Sequence, residues 1–312
     1  MRMLEMRILR FILSNNTQYG GQLQMRSNEF LLNSFLRSKE LEGRTAKTIA
    51  FYKTAIELVF FRSPAIPIAT CTTSDIRDRF SKLTCGPVGL DGYRRALSSF
   101  FRFLFEEELI DKNPMARIHR IKQPKIIKQP FSRAEIGTMR EKFSLKSRAI
   151  IELLISSGIR ISECVQLNFS DLDFEKLTFI VFGKGQKERR CFFSRKAANL
   201  LLEYKSAREA LGKFSNVLFL PDHVYKNRPF ERLTISGIEG RLKKEGAKNG
   251  IKGVYPHRFR RTFATWALSA GVPVDQIRIL LGHENIQTTL RYALTEQEQV
   301  SNSYRSIIEK SL

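Results

Sequence analysis

Six residues, in chain order, have the types that phosphate chemistry needs. Arg160 follows Gly158 and precedes Glu163 by three residues, a distance at which a carboxylate can hold a guanidinium rigid. Lys184 stands between Gly183 and Gly185, where the glycines allow a tight turn and a close approach to a ligand. His257 and Arg260 are spaced i, i+3 behind Pro256, so they share a face at a helix start whose N–H groups and dipole suit phosphate. His283 follows Gly282, and Tyr292 lies nine residues downstream. Taken singly, each has a plainer reading: a surface salt bridge, a solvated lysine, a basic helix start that touches DNA without chemistry, a tyrosine in a core. Their order is what sets them apart. No P-loop pattern and no cluster of acids suited to two metals accompanies them, so charge on a phosphate would be met by side chains. Neither a metal site nor a cofactor is expected.

The elements that must position these residues can be read from spacing. A capping-box pattern, Ser132-Arg133-Ala134-Glu135, opens a second domain. A helix over 145–157 stops at Gly158, a fitting C′ residue. Leu177–Phe182 and Arg190–Phe193 flank the glycines at 183 and 185 and predict a β-hairpin. Val217–Leu220 reads as one more strand. The rest is helical: 196–211, about 234–248, 257–270, 273–281, 285–293 and 297–309. Upstream, Ser27 and Thr45 cap two helices, a short one begins at Ser74, and Leu90–Leu109 supplies a fourth. The aromatics of that fourth helix (Tyr93, Phe100, Phe101, Phe103, Phe105) read as core. Residues 1–26 read either as a short helix and linker or as an upstream extension of a chain beginning at Met25.

The chain has 312 residues and a formal charge of +22, from 53 Lys+Arg against 31 Asp+Glu. An excess of that size predicts a polyanionic partner. It is evenly spread. Residues 1–130 carry 22 basic and 12 acidic side chains, net +10, and residues 131–312 carry 31 and 19, net +12. Two folded parts gripping one polymer fit this better than a globule with a basic arm. Residues 112–133 hold seven basic residues and no acid, with Pro124 and Pro130 forbidding a continuous helix. This is an extended basic linker, read as a strap along a phosphate backbone in preference to a solvated hinge. No apolar run reaches the ~18 residues of a membrane span. Cys71, Cys85, Cys164 and Cys191 lack metal-site spacing and read as reduced cysteines of a cytosolic protein.

The ordered set Arg160, Lys184, His257-x-x-Arg260, His283 and Tyr292 resembles the tyrosine recombinase family of phage integrases and Xer-type enzymes. The neighbours match as well: Gly-x-Arg-x-Ser-Glu, Gly-Lys-Gly-x-Lys-x-Arg, Pro-His-x-Phe-Arg-x-Thr-Phe-Ala-Thr, and Leu-Leu-Gly-His followed by Thr-Thr and Tyr. The resemblance covers about 27–305. Arg261 departs from it, standing where many relatives have a second His, and Phe259 stands where Leu is common. It implies a mainly α protein: an N-terminal SAM-like helical bundle plus an α+β catalytic domain with a small antiparallel sheet. The expected divisions are an extension (1–26), a core-binding domain (27–115), a basic linker (116–131), a catalytic domain (132–296) and a C-terminal helix (297–312) that docks on a neighbouring subunit through Val300, Tyr304, Ile307 and Ile308.

The resemblance also implies roles. Tyr292 is the nucleophile that forms a 3′-phosphotyrosyl link, and Arg160, Arg260 and His283 hold the phosphate. His257 accepts the phenol proton, Lys184 protonates the leaving 5′ oxygen, and Glu163 orients Arg160 or His257. Lys122, Lys125, Lys128, Arg258 and Arg261 are expected on DNA. The partners implied are a double-stranded recombination site, a homotetramer on two such sites, and an accessory or partner recombinase; no membrane is involved. The expected setting is the cytoplasmic nucleoid. Two other readings share these residues: a DNA-binding regulator that kept the fold and lost the chemistry, and a strand-passage enzyme similar to type IB topoisomerases.

Overall fold

A computed structural model describes residues 27–62, 67–121, 129–182, 188–222 and 232–293. The chain divides into two compact units, Met1–Lys125 and Ile126–Leu312.

The first unit is helical. α1 (Asn28–Leu41) and α2 (Ala46–Phe60) are capped by the hydroxyls of Ser27 and Thr45, which accept from the N–H groups of Phe30 and Thr48. α3 (Thr73–Ser81) starts one turn-position earlier than Ser74, because Thr72 and Asp75 cap each other reciprocally. α4 (Pro87–Glu106) opens on Pro87, whose missing N–H costs nothing in a first turn. Apolar faces of all four meet in one core that includes Phe35, Phe60, Phe100 and Phe101. Edge-to-face packing of Phe35 on Phe100 (5.2 Å) adds to burial. Phe105 departs from the expected core: it falls on the outer face of α4 and is half exposed.

The second unit is built around α6 (Leu145–Ser157), which follows α5 (Arg133–Lys142). Nine of the thirteen residues of α6 are buried, so it is enclosed on every side and packs on α8 (Arg195–Glu209) and α10 (Pro256–Ser269). Its one buried acid, Glu152, is met by Arg140 Nε at 2.5 Å. Gly158 ends α6 at φ 64°, and a Cβ there would lie 2.4 Å from the ring of Phe263. The short α7 (Ile161–Cys164) follows.

The sheet is small and antiparallel, in the order β1 (Leu172–Asp173), β2 (Thr178–Phe182), β3 (Glu188–Phe192). The register pairs Val181 with Arg189 and Phe179 with Cys191. Phe179, Val181 and Cys191 face the core, while Ile180, Phe182 and Phe192 face outward. The expected strand at Val217–Leu220 is a single bridge from Val217 to Asn168 with one further bond, Leu218 N–H to Leu167 O. Leu218 and Phe219 are core, and the next backbone bond among the described residues comes from elsewhere, from Leu233 N–H to Phe219 O. α9 (Ile235–Lys248), α11 (Val274–Leu281) and α12 (Ile286–Ala293) complete the unit. The resulting architecture is mainly α with a small three-stranded antiparallel sheet.

Candidate active site

Three guanidiniums converge on the end of α11. The last carbonyls of a helix have no partner inside it and carry partial negative charge, so they attract cations. Here Arg189 Nε donates to Leu280 O (3.1 Å), Arg260 Nη2 to Leu281 O (2.5 Å) and Arg160 Nη2 to Gly282 O (2.8 Å). Three consecutive carbonyls thus receive three arginines from three different elements. Gly282 makes this possible, because its φ of 62° turns the chain out of α11.

Each arginine is also held from behind. Arg160 lies at the start of α7, where Glu163 accepts its backbone N–H at 2.7 Å and its Nη1 at 2.9 Å. The same carboxylate receives Nη1 and Nη2 of Arg189, at 2.8 and 2.7 Å. Arg260, almost wholly buried, donates Nη1 to Gly158 O at 2.8 Å. Glu163 is buried as well. Burial alone would raise its pKa, but the hydrogen bonds from Arg189 and Arg160 outweigh that and hold it below the ordinary carboxylate value. Arg160 and Arg189 share a single carboxylate, so the pair carries one uncompensated positive charge, and Arg260 adds to it.

His283 follows Gly282 directly and is 9% exposed. Its Nδ1 lies 2.9 Å from Oγ1 of Thr289, a fully buried residue on α12. Burial and the neighbouring charges of Arg260, Arg160, His257 and Arg189 push its pKa down to about 4, so the imidazole is neutral at physiological pH. His257 is exposed in the first turn of α10, one helical turn before Arg260. Tyr292 belongs to α12, three residues beyond Thr289. A groove of about 1190 Å³ opens beside Arg160 and Glu163, floored by β2. Among the described residues no group of three His, Cys, Asp or Glu side chains could hold a metal ion.

The structure therefore brings together Arg160, Glu163, Arg260 and His283, and carries His257 and Tyr292 on the flanking helices α10 and α12. Lys184, Lys122, Lys125 and Lys128 lie outside the described residues, as do the expected extension at 1–26 and helix at 297–312. Arg258 and Arg261, expected on DNA, are placed against protein groups. Arg258 donates to Gln129 O, Pro130 O, Lys252 O and both oxygens of Glu135, with its guanidinium 3.9 Å above the Phe131 ring. Arg261 is buried, and its Nη1 meets no hydrogen-bond partner among the described residues. Two residues that spacing did not single out belong to the site, Arg189 and Thr289. Arg189 is the last member of the Gly-Lys-Gly-x-Lys-x-Arg run, and Thr289 the second threonine of the pair before Tyr292.

Known proteins resemble this chain in sequence and in fold. The phage integrase family matches residues 131–299. The tyrosine recombinase XerC of Pediococcus pentosaceus is 33% identical over 226 residues, which cover 69% of this chain and 74% of that protein. The XerC of Oceanobacillus iheyensis is 29% identical over 295 residues, 90% of this chain and 96% of that one. Two solved structures share the fold, each with a TM-score of 0.68. One is the XerH site-specific recombinase bound to a palindromic difH substrate (20% identity, covering 96% of this chain and 93% of that one). The other is the Tn1549 transposon integrase in complex with a circular intermediate DNA (19% identity, 86% and 99%). The chain belongs to the phage integrase family. It is an enzyme of the tyrosine site-specific recombinase class, and the site at the end of α11 is where its arginines gather.

Proposed function

We propose that the enzyme cuts and rejoins double-stranded DNA at a specific site, with Tyr292 as nucleophile. The observation that carries this reading is the convergence of Arg160, Arg260 and neutral His283 at the turn that leads directly into the helix of Tyr292. The Tyr292 oxygen attacks phosphorus, the bond to the 5′ oxygen breaks, and a 3′-phosphotyrosyl link forms. The phenol proton passes to His257, and the departing 5′ oxygen takes a proton from Lys184. Arg160 and Arg260 grip the two non-bridging oxygens through their planar forks, and His283 donates a further hydrogen bond. The link conserves the energy of the phosphodiester, so a 5′-hydroxyl from a second duplex reverses the step and exchanges strands through a Holliday junction.

Four copies on two DNA sites supply the four cleavages this requires, alone or with a partner recombinase, at the cytoplasmic nucleoid. In this reading residues 27–115 form the core-binding domain, residues 116–131 a strap in which Lys122, Lys125 and Lys128 meet phosphates, residues 132–296 the catalytic domain, and residues 297–312 a helix that docks on a neighbour. The test is a nicked suicide substrate carrying the site. Wild type is expected to leave a covalent protein–DNA adduct in a denaturing gel, and Tyr292→Phe to leave none. An equal adduct from Tyr292→Phe, or none from wild type, overturns the reading.

A further inference from the structure

We infer that Thr289 is a positioning residue for His283: its hydroxyl donates to Nδ1 and so fixes the imidazole in the tautomer that carries its proton on Nε2. The inference rests on the reading that His283 donates to the phosphate, and it adds the group that makes such donation possible. A neutral imidazole has one N–H and one bare nitrogen, and the partner of one nitrogen decides which atom the other can serve. The phosphate presents only acceptors. A His283 protonated on Nδ1 would offer it a lone pair and repel it.

Thr289 supplies the partner that favours the other state: a hydroxyl can give or take a hydrogen bond, and only when it gives one to Nδ1 does the ring keep its proton on Nε2 for the phosphate. Its Oγ1 lies 2.9 Å from Nδ1, and the hydroxyl has a proton to give. The residue is fully buried, so water does not compete for the same nitrogen. The fixed charges facing the ring are cationic: Arg160 beside α7, Arg189 on β3, and Arg260 on α10. They disfavour a second proton on the ring, which leaves the choice of tautomer to hydrogen bonding alone. Thr289 also lies one turn before Tyr292, so the bond that sets the tautomer ties the nucleophile's helix to the turn that holds His283. A β-branched side chain suits the task, because its χ1 is restricted in a helix.

The experiment compares Thr289→Val, which keeps the shape and removes the hydroxyl, with Thr289→Ser, which keeps the hydroxyl. Nitrogen-15 NMR of the His283 ring in the free full-length protein reads the tautomer directly, without reference to catalysis. Wild type and Thr289→Ser are expected to show the proton on Nε2, and Thr289→Val a mixture. Adduct formation on saturating suicide substrate is expected to fall at least 10-fold in Thr289→Val at unchanged DNA affinity, with recovery in Thr289→Ser. An Nδ1-protonated ring in wild type, or a Thr289→Val protein as fast as wild type, overturns the inference. Should Thr289→Val fail to fold, the wild-type and Thr289→Ser spectra decide alone. Failure of the catalytic reading would appear separately, as an adduct that survives Tyr292→Phe.

Discussion

Glu163 binds Arg189 through both oxygens, at 2.8 and 2.7 Å, while holding Arg160 with the same two atoms. The carboxylate thus fastens a strand residue to Arg160, 29 positions away in sequence, and Arg189 passes the restraint on to α11 through Leu280 O. Neither arginine can move without disturbing the other.

Replacing Arg189 should therefore damage chemistry more than binding. Misplacement of a catalytic group by about 1 Å can cost about 100-fold in rate. Arg189→Gln is expected to slow adduct formation by that order, with DNA affinity within a few-fold of wild type. Arg189→Lys should recover only part of it, because an ammonium cannot span both carboxylate oxygens and Leu280 O in one plane. Single-turnover cleavage on saturating suicide substrate makes the measurement. Cleavage at the wild-type rate in Arg189→Gln would show that Arg160 holds its place without help.

The pH dependence of stability has a definite sign. His283 titrates near 6.5 when unfolded and at about 4 when folded, so between those values the unfolded chain binds the extra proton. Its contribution is fully present above pH 6.5 and is lost as pH falls toward 4. Glu163, lowered below its unfolded value of 4.5, acts in the same direction at more acid pH: its contribution is present above that value and lost as pH drops through the folded one. Urea midpoints should decline from pH 6.5 downward, and His283→Gln should flatten the upper part of that decline. A midpoint that holds steady from pH 7 to 5 in wild type would contradict the buried, cation-flanked placement of the ring.

Much of this was legible in the sequence because it is local. The glycine stop at 158, the caps at Ser27, Thr45 and Ser132, and the pairing of Arg160 with Glu163 all join residues within four positions, where helix geometry dictates the neighbour. The hairpin was open to reading because Phe179, Val181 and Cys191 alternate with outward residues on either side of the glycines. What spacing hid is non-local. Nothing near Arg189 announces Glu163, 26 residues upstream, or the end of α11, 91 residues downstream. Val217–Leu220 has the apolar content of a strand, but pairing depends on a neighbour that only the fold supplies. Arg258 sits among basic residues and reads as a nucleic-acid contact; its protein partners at 129, 130 and 135 lie too far away in sequence for spacing to show.

Glycine 282 is constrained twice. Its φ of 62° penalises any Cβ, and that Cβ would lie 2.9 Å from Nη1 of Arg189. The backbone penalty is about 1–2 kcal/mol. Gly282→Ala should lower stability by roughly that amount and also displace Arg189, so adduct formation is expected to fall further than the stability loss explains. Gly158→Ala meets a rigid ring, Phe263, at 2.4 Å. Phe263 has no flexible end to swing aside, so this variant should lose stability more heavily than Gly282→Ala. Thermal unfolding of the two proteins side by side checks the order.

Arg258 separates fold from DNA contact. It lies 14% exposed with Glu135, which also caps α5 through Ser132 N–H at 2.8 Å. Phe131 is clamped below it: its N–H donates to Thr262 Oγ1 at 2.8 Å and its ring packs tilted against Phe259, centroids 4.6 Å apart. The arginine therefore binds the entry of the second unit to α10, the helix of His257 and Arg260. Removing it strips a charge-assisted bond from Glu135 and several backbone carbonyls, which should cost about 2 kcal/mol of stability. A phosphate contact behaves otherwise, because its loss reduces the slope of log K against log salt by about 0.9. Arg258→Ala is expected to lower the melting temperature and leave that slope unchanged. A slope reduced by about 0.9 with stability intact would place the side chain on the DNA backbone instead.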